Sequence, residues 1–268
     1  MRKLTPWEDV TISNGLMFRF LMERPGICQK FIERILDIKI KNMTVPQFEK
    51  DFRLDGKSKG IRLDVYLEDV NGVAIDIEMQ TLEFDRDAIG KRARYYQSLM
   101  DISLLPKGQD YTKLKKSFII FICTFDPFDQ GMARYTFSNL CHENTNISMC
   151  DETTAIFFNT KGDKSALSPK LGNLLSFING ENPADSFVNE LKANIAELKM
   201  DQTKRGIYMT YSQELLRSEA RGKEEGLLSV ALAMLKAHEP LEKIIAYSNL
   251  STDKILALAK SNNLSVAN

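Results

Sequence analysis

Histidine is nearly absent from this chain: His142 and His238 are the two in 268 residues. That leaves Ser-His-Asp and Cys-His catalysis with little to build on. Four cysteines, Cys28, Cys123, Cys141 and Cys150, form no C-x-x-C pair, so a zinc ribbon is excluded. Cys141, His142 and Cys150 offer three ligands without a fourth, at a spacing that fits no standard site. The thiols read as buried or free side chains of a reducing compartment. Net charge is also missing, since 36 Lys+Arg balance 36 Asp+Glu. This argues against a histone-like or tail-driven nucleic-acid binder, but a local basic patch is still allowed, because the field at a cleft depends on how charge is distributed. No apolar run is long: a stretch such as Phe118 to Cys123 is far short of the ~20 residues that a membrane helix needs. The opening MRKLTPWEDV lacks the apolar core of a signal peptide. A cytoplasmic protein with no membrane partner is expected.

What remains is an ordinary globular composition, 43% hydrophobic and 27% charged, on a chain long enough to bury a core without metal or disulfide staples. Residues 12–36 carry apolar side chains at helical spacing, with Pro25-Gly26 breaking the run into two helices. Residues 39–50 alternate loosely as a strand, and 55–60 read as a loop. IRLDVYLED and VAIDIEMQ are the clearest β signals. A helix is expected over 85–104, ended by Pro106 and Gly108. The apolar run SFIIFICTF at 117–125 has the composition of a strand buried on both faces. Short strands follow at 134–137 and 154–158. Beyond about residue 160 strand signals vanish, and 168–268 read as helices. The expected organisation is an α/β domain at 1–165 and an all-helical extension at 166–268.

The two strong strands must pair as a hairpin, and the turn fixes which residues meet. A two-residue Asn71-Gly72 turn would set Asp64 against Met79 and Leu67 against Asp76, mixing polar and apolar side chains on each face. A three-residue loop, Val70-Asn71-Gly72, puts Gly72 at the left-handed position of a G1 bulge. Leu63, Val65 and Leu67 then oppose Met79, Ile77 and Ile75, and Asp64 falls opposite Glu78. Facing carboxylates repel unless something neutralises them. A divalent cation with oxygen ligands, Mg²⁺ or Mn²⁺, would do so. The alternative is a solvent-facing polar strand whose acids pair with lysine or arginine.

The order Asp64, thirteen residues, Glu78-Met79-Gln80 resembles the bipartite PD-(D/E)XK nuclease motif. Together with SNGLMFRFLM, IRLDVYLED, KRARYYQSLMD, FIIFICTFDPF and EEGLLSVA, the chain resembles the Rpn (recombination-promoting nuclease)/PD-(D/E)XK nuclease family transposase group, most closely over roughly residues 10–160. The resemblance implies a restriction-endonuclease-like core: a central mixed sheet flanked by helices. It implies metal-dependent hydrolysis of DNA phosphodiester bonds, connected with recombination or mobile elements, with Asp64, Glu78 and Gln80 as catalytic residues. Asp64, Glu78 and the Met79 carbonyl would hold Mg²⁺ or Mn²⁺. Gln80 stands where the signature has lysine and Leu63 where it has proline. An amide cannot offset negative charge as an ammonium does, but it can orient a water. Glu33 is an accessory acid candidate.

From Arg86 to Lys116 there are eight Lys/Arg against three Asp. A local positive excess beside a carboxylate site suits a nucleic-acid backbone, and Lys91, Arg92 and Arg94 are the candidates to bind it. Tyr96 either faces the site or packs in the core. The tail has a helix-turn-helix outline, but TDKILALAKSN offers only Lys254 and Lys260 for a groove. Packing or homo-oligomer formation through the helical tail is expected instead. Two other functional readings stand beside the DNA endonuclease: a weak or inactive DNA-binding or assembly protein that keeps the fold, and an RNA-directed nuclease.

Overall fold

The computed structural model describes residues 4–40, 44, 46–52, 61–69, 71–81 and 83–266. The expected 55–60 loop and Val70 lie outside them. The chain divides into two compact units, Pro6–Lys204 and Arg205–Asn268 with Met1–Thr5.

The larger unit is built on a six-stranded mixed sheet of order β1-β2-β3-β4-β6-β5. Its strands are β1 (Gln47–Phe52), β2 (Ile61–Glu68), β3 (Ala74–Gln80), β4 (Ser117–Cys123), β5 (Arg134–Phe137) and β6 (Thr153–Asn159). β1, β2 and β3 run antiparallel in turn; β3, β4 and β6 are parallel; β5 returns antiparallel on β6. Parallel strands need a crossover that covers a sheet face. The crossover from β3 to β4 is α3 (Ile89–Leu104), preceded by a 3₁₀ turn at Glu83–Ala88. The helix therefore starts a few residues later than the periodicity suggests.

Each element follows from its residues. Asn14 caps α1 (Gly15–Met22) by accepting the Leu16 and Met17 N–H groups. Pro25 opens α2 (Pro25–Leu36), where its missing N–H costs nothing. β4 is nearly all apolar and, Phe118 apart, buried along its whole length, with α3 packed against it. Ile119, Phe121 and Cys123 lie toward α3, in a cluster with Ala93, Tyr96, Leu99 and Met100. Phe157 of β6 stacks on Phe121, with ring centroids 5.3 Å apart.

Helices α4 (Pro169–Ile178) and α5 (Ser186–Met200), expected in the extension, lie inside the larger unit. Their apolar stripes decide this: Leu171, Leu174 and Leu175 of α4 and Phe187, Val188 and Leu191 of α5 are buried. α5 packs on α1, and α4 packs on α2. The helix α6 (Gln202–Lys236) leads into the smaller unit, where Ala231 and Leu235 pack with residues of α7 (Leu241–Ser248) and α8 (Thr252–Ser261), chiefly Ile244, Ile255 and Ala259. Among the described residues no helix is long and apolar enough to cross a membrane.

Asp185 joins two of these helices. It caps α5 through the Phe187 and Val188 N–H groups and receives Arg34 Nη1 of α2 at 2.7 Å. Burial alone would raise its carboxyl, but the Val188 N–H and the Arg34 guanidinium outweigh burial and hold it below the ordinary aspartate range. A depressed folded-state pKa adds stability above the unfolded value and loses it as pH falls through the folded one. Asp185→Ala should cost about 2 kcal/mol at neutral pH, from cap and ion pair together. Asp185→Asn keeps the cap and isolates the ion pair. Its deficit against wild type in urea melts should be constant above pH ~5 and shrink toward zero as the solution is acidified below pH ~4.

Candidate active site

The β2–β3 hairpin carries the register that separates polar from apolar faces. Val65 pairs with Ile77, Tyr66 with Asp76, Leu67 with Ile75 and Glu68 with Ala74. The loop closes through Asp69 N–H to the Val73 carbonyl (3.0 Å), with Gly72 at φ +81° as the bulge requires. Asp69 Oδ1 accepts the Asn71 and Val73 N–H groups, which fixes the turn. The next position along this register sets Asp64 opposite Glu78.

At that position side chains take over the inter-strand bonding. The Asp64 N–H donates to Glu78 Oε1 at 2.9 Å, and the Met79 N–H donates to Asp64 Oδ2 at 3.2 Å. Each carboxylate thus caps an amide of the opposite strand. The two acids are held beside one another by backbone donors, and the Met79 backbone lies against Asp64.

The polar face of β3 is covered. α3 lies over it, and Asp76, Glu78 and Gln80 are 0%, 4% and 6% exposed. A solvent-facing polar strand is therefore ruled out, although the other half of that alternative, pairing of an acid with arginine, does occur. Arg92 reaches from α3 and donates Nη1 to Gln80 Oε1 at 2.7 Å and Nη2 to Glu78 Oε2 at 3.1 Å. Its guanidinium lies over the Tyr96 and Phe121 rings, 5.3 and 5.2 Å from their centroids. Burial, and then the Asp64 charge, push the Glu78 carboxyl above the usual range; the Asp64 N–H and Arg92 pull against them.

Asp76 is the member that the sequence analysis did not single out. Neither of its oxygens meets a hydrogen-bond partner. Burial, then the Glu78 and Asp64 charges, push its carboxyl well up. The signal was present in the alternation of Asp76, Glu78 and Gln80, which puts all three on one face.

The other sequence candidates are dispersed. Lys91 and Arg94 are exposed, and Arg94 lines a separate groove with Gln97, Phe128 and Phe137. Successive helical residues turn by about 100°, so Lys91, Arg92 and Arg94 cannot share a direction. Tyr96 is nearly buried, its hydroxyl pushed up to about 12 by burial and then by the Glu78 charge. Glu33 is not brought to this group. It closes the end of α2 by accepting the Ile40 N–H at 3.0 Å, the first cause of its lowered carboxyl, and pairs with Lys39. Cys141 and Cys150 bond locally, to Glu143 and Ser148.

Carboxylate oxygens are hard donors, and Mg²⁺ is commonly held by one or two carboxylates, the rest of its shell being water and substrate. Asp64 and Glu78 are two such carboxylates, and Asp76 beside them has oxygens that meet no hydrogen-bond partner. Among the described residues no group of three or more His, Cys, Asp or Glu is arranged to hold an ion. The donors fit a two-carboxylate site completed by oxygens from outside the protein, and they do not fit an all-protein cage.

No curated protein and no solved structure matches the chain significantly. The family model of the PD-(D/E)XK nuclease family transposases matches residues 22–221, a span that holds the whole sheet, α3 and the Asp64–Glu78 pair. With well over half of its residues in that match, the chain belongs to the PD-(D/E)XK nuclease family transposases.

Proposed function

We propose that the protein is a divalent-metal-dependent endonuclease that hydrolyses DNA phosphodiester bonds at the Asp64–Glu78 pair, in recombination or in the movement of mobile DNA. The observation that carries this reading is the placement of two carboxylates across β2 and β3, each bonded to a backbone N–H of the other strand, with Glu78 and the hydrogen-bond-free side chain of Asp76 buried beneath α3. Such a cluster costs stability unless a ligand offsets it.

Asp64 and Glu78, with the Met79 carbonyl, would hold Mg²⁺ or Mn²⁺. A cation bound there would lower the pKa of a coordinated water and offset the charge of the phosphoryl group. Gln80 would orient the attacking water through its amide, which Arg92 fixes by a bond to Oε1. In hydrolysis the water oxygen bonds to phosphorus, the bond to one ester oxygen breaks, and the leaving oxygen takes a proton. The products are a phosphate monoester and a hydroxyl. Lys91 and Arg94, exposed on α3, are available to the DNA backbone. The four free cysteines suit a cytoplasmic setting. Exposed Ile207, Tyr211 and Leu215 on α6 suit self-association of the helical tail.

Supercoiled plasmid incubated with Mg²⁺ or Mn²⁺ should be nicked or linearised, and EDTA should abolish this. Asp64→Ala and Glu78→Ala should each lower the rate by at least on the order of 10³-fold, because each removes a hard ligand. Cleavage that survives either change, or EDTA, places the chemistry elsewhere. DNA binding with no cleavage in any metal supports the inactive-descendant reading. Cleavage of RNA but not of plasmid identifies the RNA-directed one.

Gln80→Ala should slow cleavage by about 10²-fold while the Mn²⁺ affinity measured by calorimetry stays nearly constant. A wild-type rate would remove Gln80 from the mechanism, and loss of Mn²⁺ binding would make it a ligand instead.

A further inference from the structure

We infer that Arg92 supplies the positive charge that the (D/E)XK pattern places on the strand and that this chain, with Gln80 there, lacks. The inference rests on the function proposed above. It assigns to α3 a catalytic residue that the strand motif does not contain.

Three observations carry it. The guanidinium fork spans the motif itself, one arm on Gln80 Oε1 and the other on Glu78 Oε2, so the charge sits at the strand position where a lysine would lie. The guanidinium lies over two neighbouring aromatic rings: Tyr96 one helical turn further along α3, and Phe121, which pairs with Glu78 across β3 and β4. The same face carries the acids Asp64, Asp76 and Glu78, and an amide at position 80 brings no positive charge to meet an incoming phosphodiester.

The chemistry follows. An attack on phosphorus concentrates negative charge on the non-bridging oxygens, and preorganised donors aimed at such charge are worth most in a buried, low-dielectric site. Arginine stays protonated throughout and presents two parallel N–H groups that match a phosphate edge. In the free protein the Nη2 arm is occupied by Glu78 Oε2. A phosphate oxygen arriving beside Glu78 can take that place while Nη1 remains on Gln80. Arg92 thereby holds Glu78 and Gln80 in position before substrate binds and meets the developing charge afterwards. A role confined to DNA affinity would instead leave the chemical step unchanged.

The test is single-turnover cleavage of duplex DNA with Mn²⁺ at saturating protein. Duplex affinity is measured separately with Ca²⁺ in place of Mn²⁺. Arg92→Gln should slow the single-turnover rate by 10²–10³-fold and change the duplex Kd by no more than a few-fold. Adding Gln80→Lys to Arg92→Gln should restore at least about tenfold of the lost rate, because the ammonium returns a cation to the same face. Arg92→Lys keeps a charge against Glu78 and guards against unfolding but loses the two-armed fork; its rate should fall between those of wild type and Arg92→Gln. The inference is overturned if Arg92→Gln cleaves at the wild-type rate, or if its whole effect lies in the duplex Kd. It also fails if Gln80→Lys gives no recovery, or if Arg92→Lys is as slow as Arg92→Gln. A wild-type protein that cleaves nothing in any metal sinks the proposed function itself, and that outcome is distinct from an active wild type indifferent to Arg92.

Discussion

Burial of an acidic strand face beneath a helix is the constraint on which the rest of this fold turns. Asp76, Glu78 and Gln80 leave β3 on the side that α3 covers, and a carboxylate taken out of water must be paired, protonated or bound to something. The protein meets part of this demand internally. Asp64 N–H and the Arg92 fork satisfy Glu78, the Met79 N–H satisfies one oxygen of Asp64, and Asp76 is left without hydrogen bonds. What an all-apolar strand would have gained in stability is given up to keep three acids together, a pattern expected of a site rather than of a scaffold.

The surrounding architecture serves this arrangement. The G1 bulge at Gly72 sets the register that brings Asp64 across from Glu78; a hairpin one residue shorter would turn one acid to the opposite face. The parallel step from β3 to β4 requires a crossover, and that crossover is α3, which delivers Arg92 and Tyr96 above the acids. The stacked Phe121 and Phe157 give the helix a firm bed. On the other side of the sheet, α1, α2, α4 and α5 form an apolar layer tied by the Arg34–Asp185 pair and by Trp7 Nε1 donating to the Lys199 carbonyl. Asp64, Asp76 and Glu78 themselves stand on strands, which suits a site that must hold its geometry.

Much of this was legible in the sequence, because the strongest signals are local. The hairpin register followed from keeping Leu63, Val65 and Leu67 on one face with Ile75, Ile77 and Met79. Pro25 marked the break between α1 and α2, and the apolar run at 117–123 marked the doubly buried strand. What could not be read was tertiary. Polar alternation on β3 looks the same whether the face meets water or a helix, so Asp76 passed as one more polar residue. Lys91, Arg92 and Arg94 looked like a single basic patch in the linear text. Yet Arg92 lies three residues after Ile89 and four before Tyr96, on the edge of the stripe that α3 buries, and helical geometry separates it from its neighbours. The reach of α4 and α5 into the larger unit was hidden for the same reason: amphipathic stripes state that a face is buried, and leave open against what.

The central claim is that the Asp64–Glu78 pair binds a divalent cation and that Arg92 gives up Glu78 to the phosphate oxygen that arrives beside it. Anomalous diffraction from crystals that hold a DNA duplex in the site and are soaked in Mn²⁺ tests it most directly. The account predicts an anomalous peak between the Asp64 and Glu78 carboxylates, with Arg92 Nη2 withdrawn from Glu78 and Nη1 still on Gln80. Crystals saturated with Mn²⁺ that show no peak there, with the Arg92–Glu78 bond intact, would contradict it.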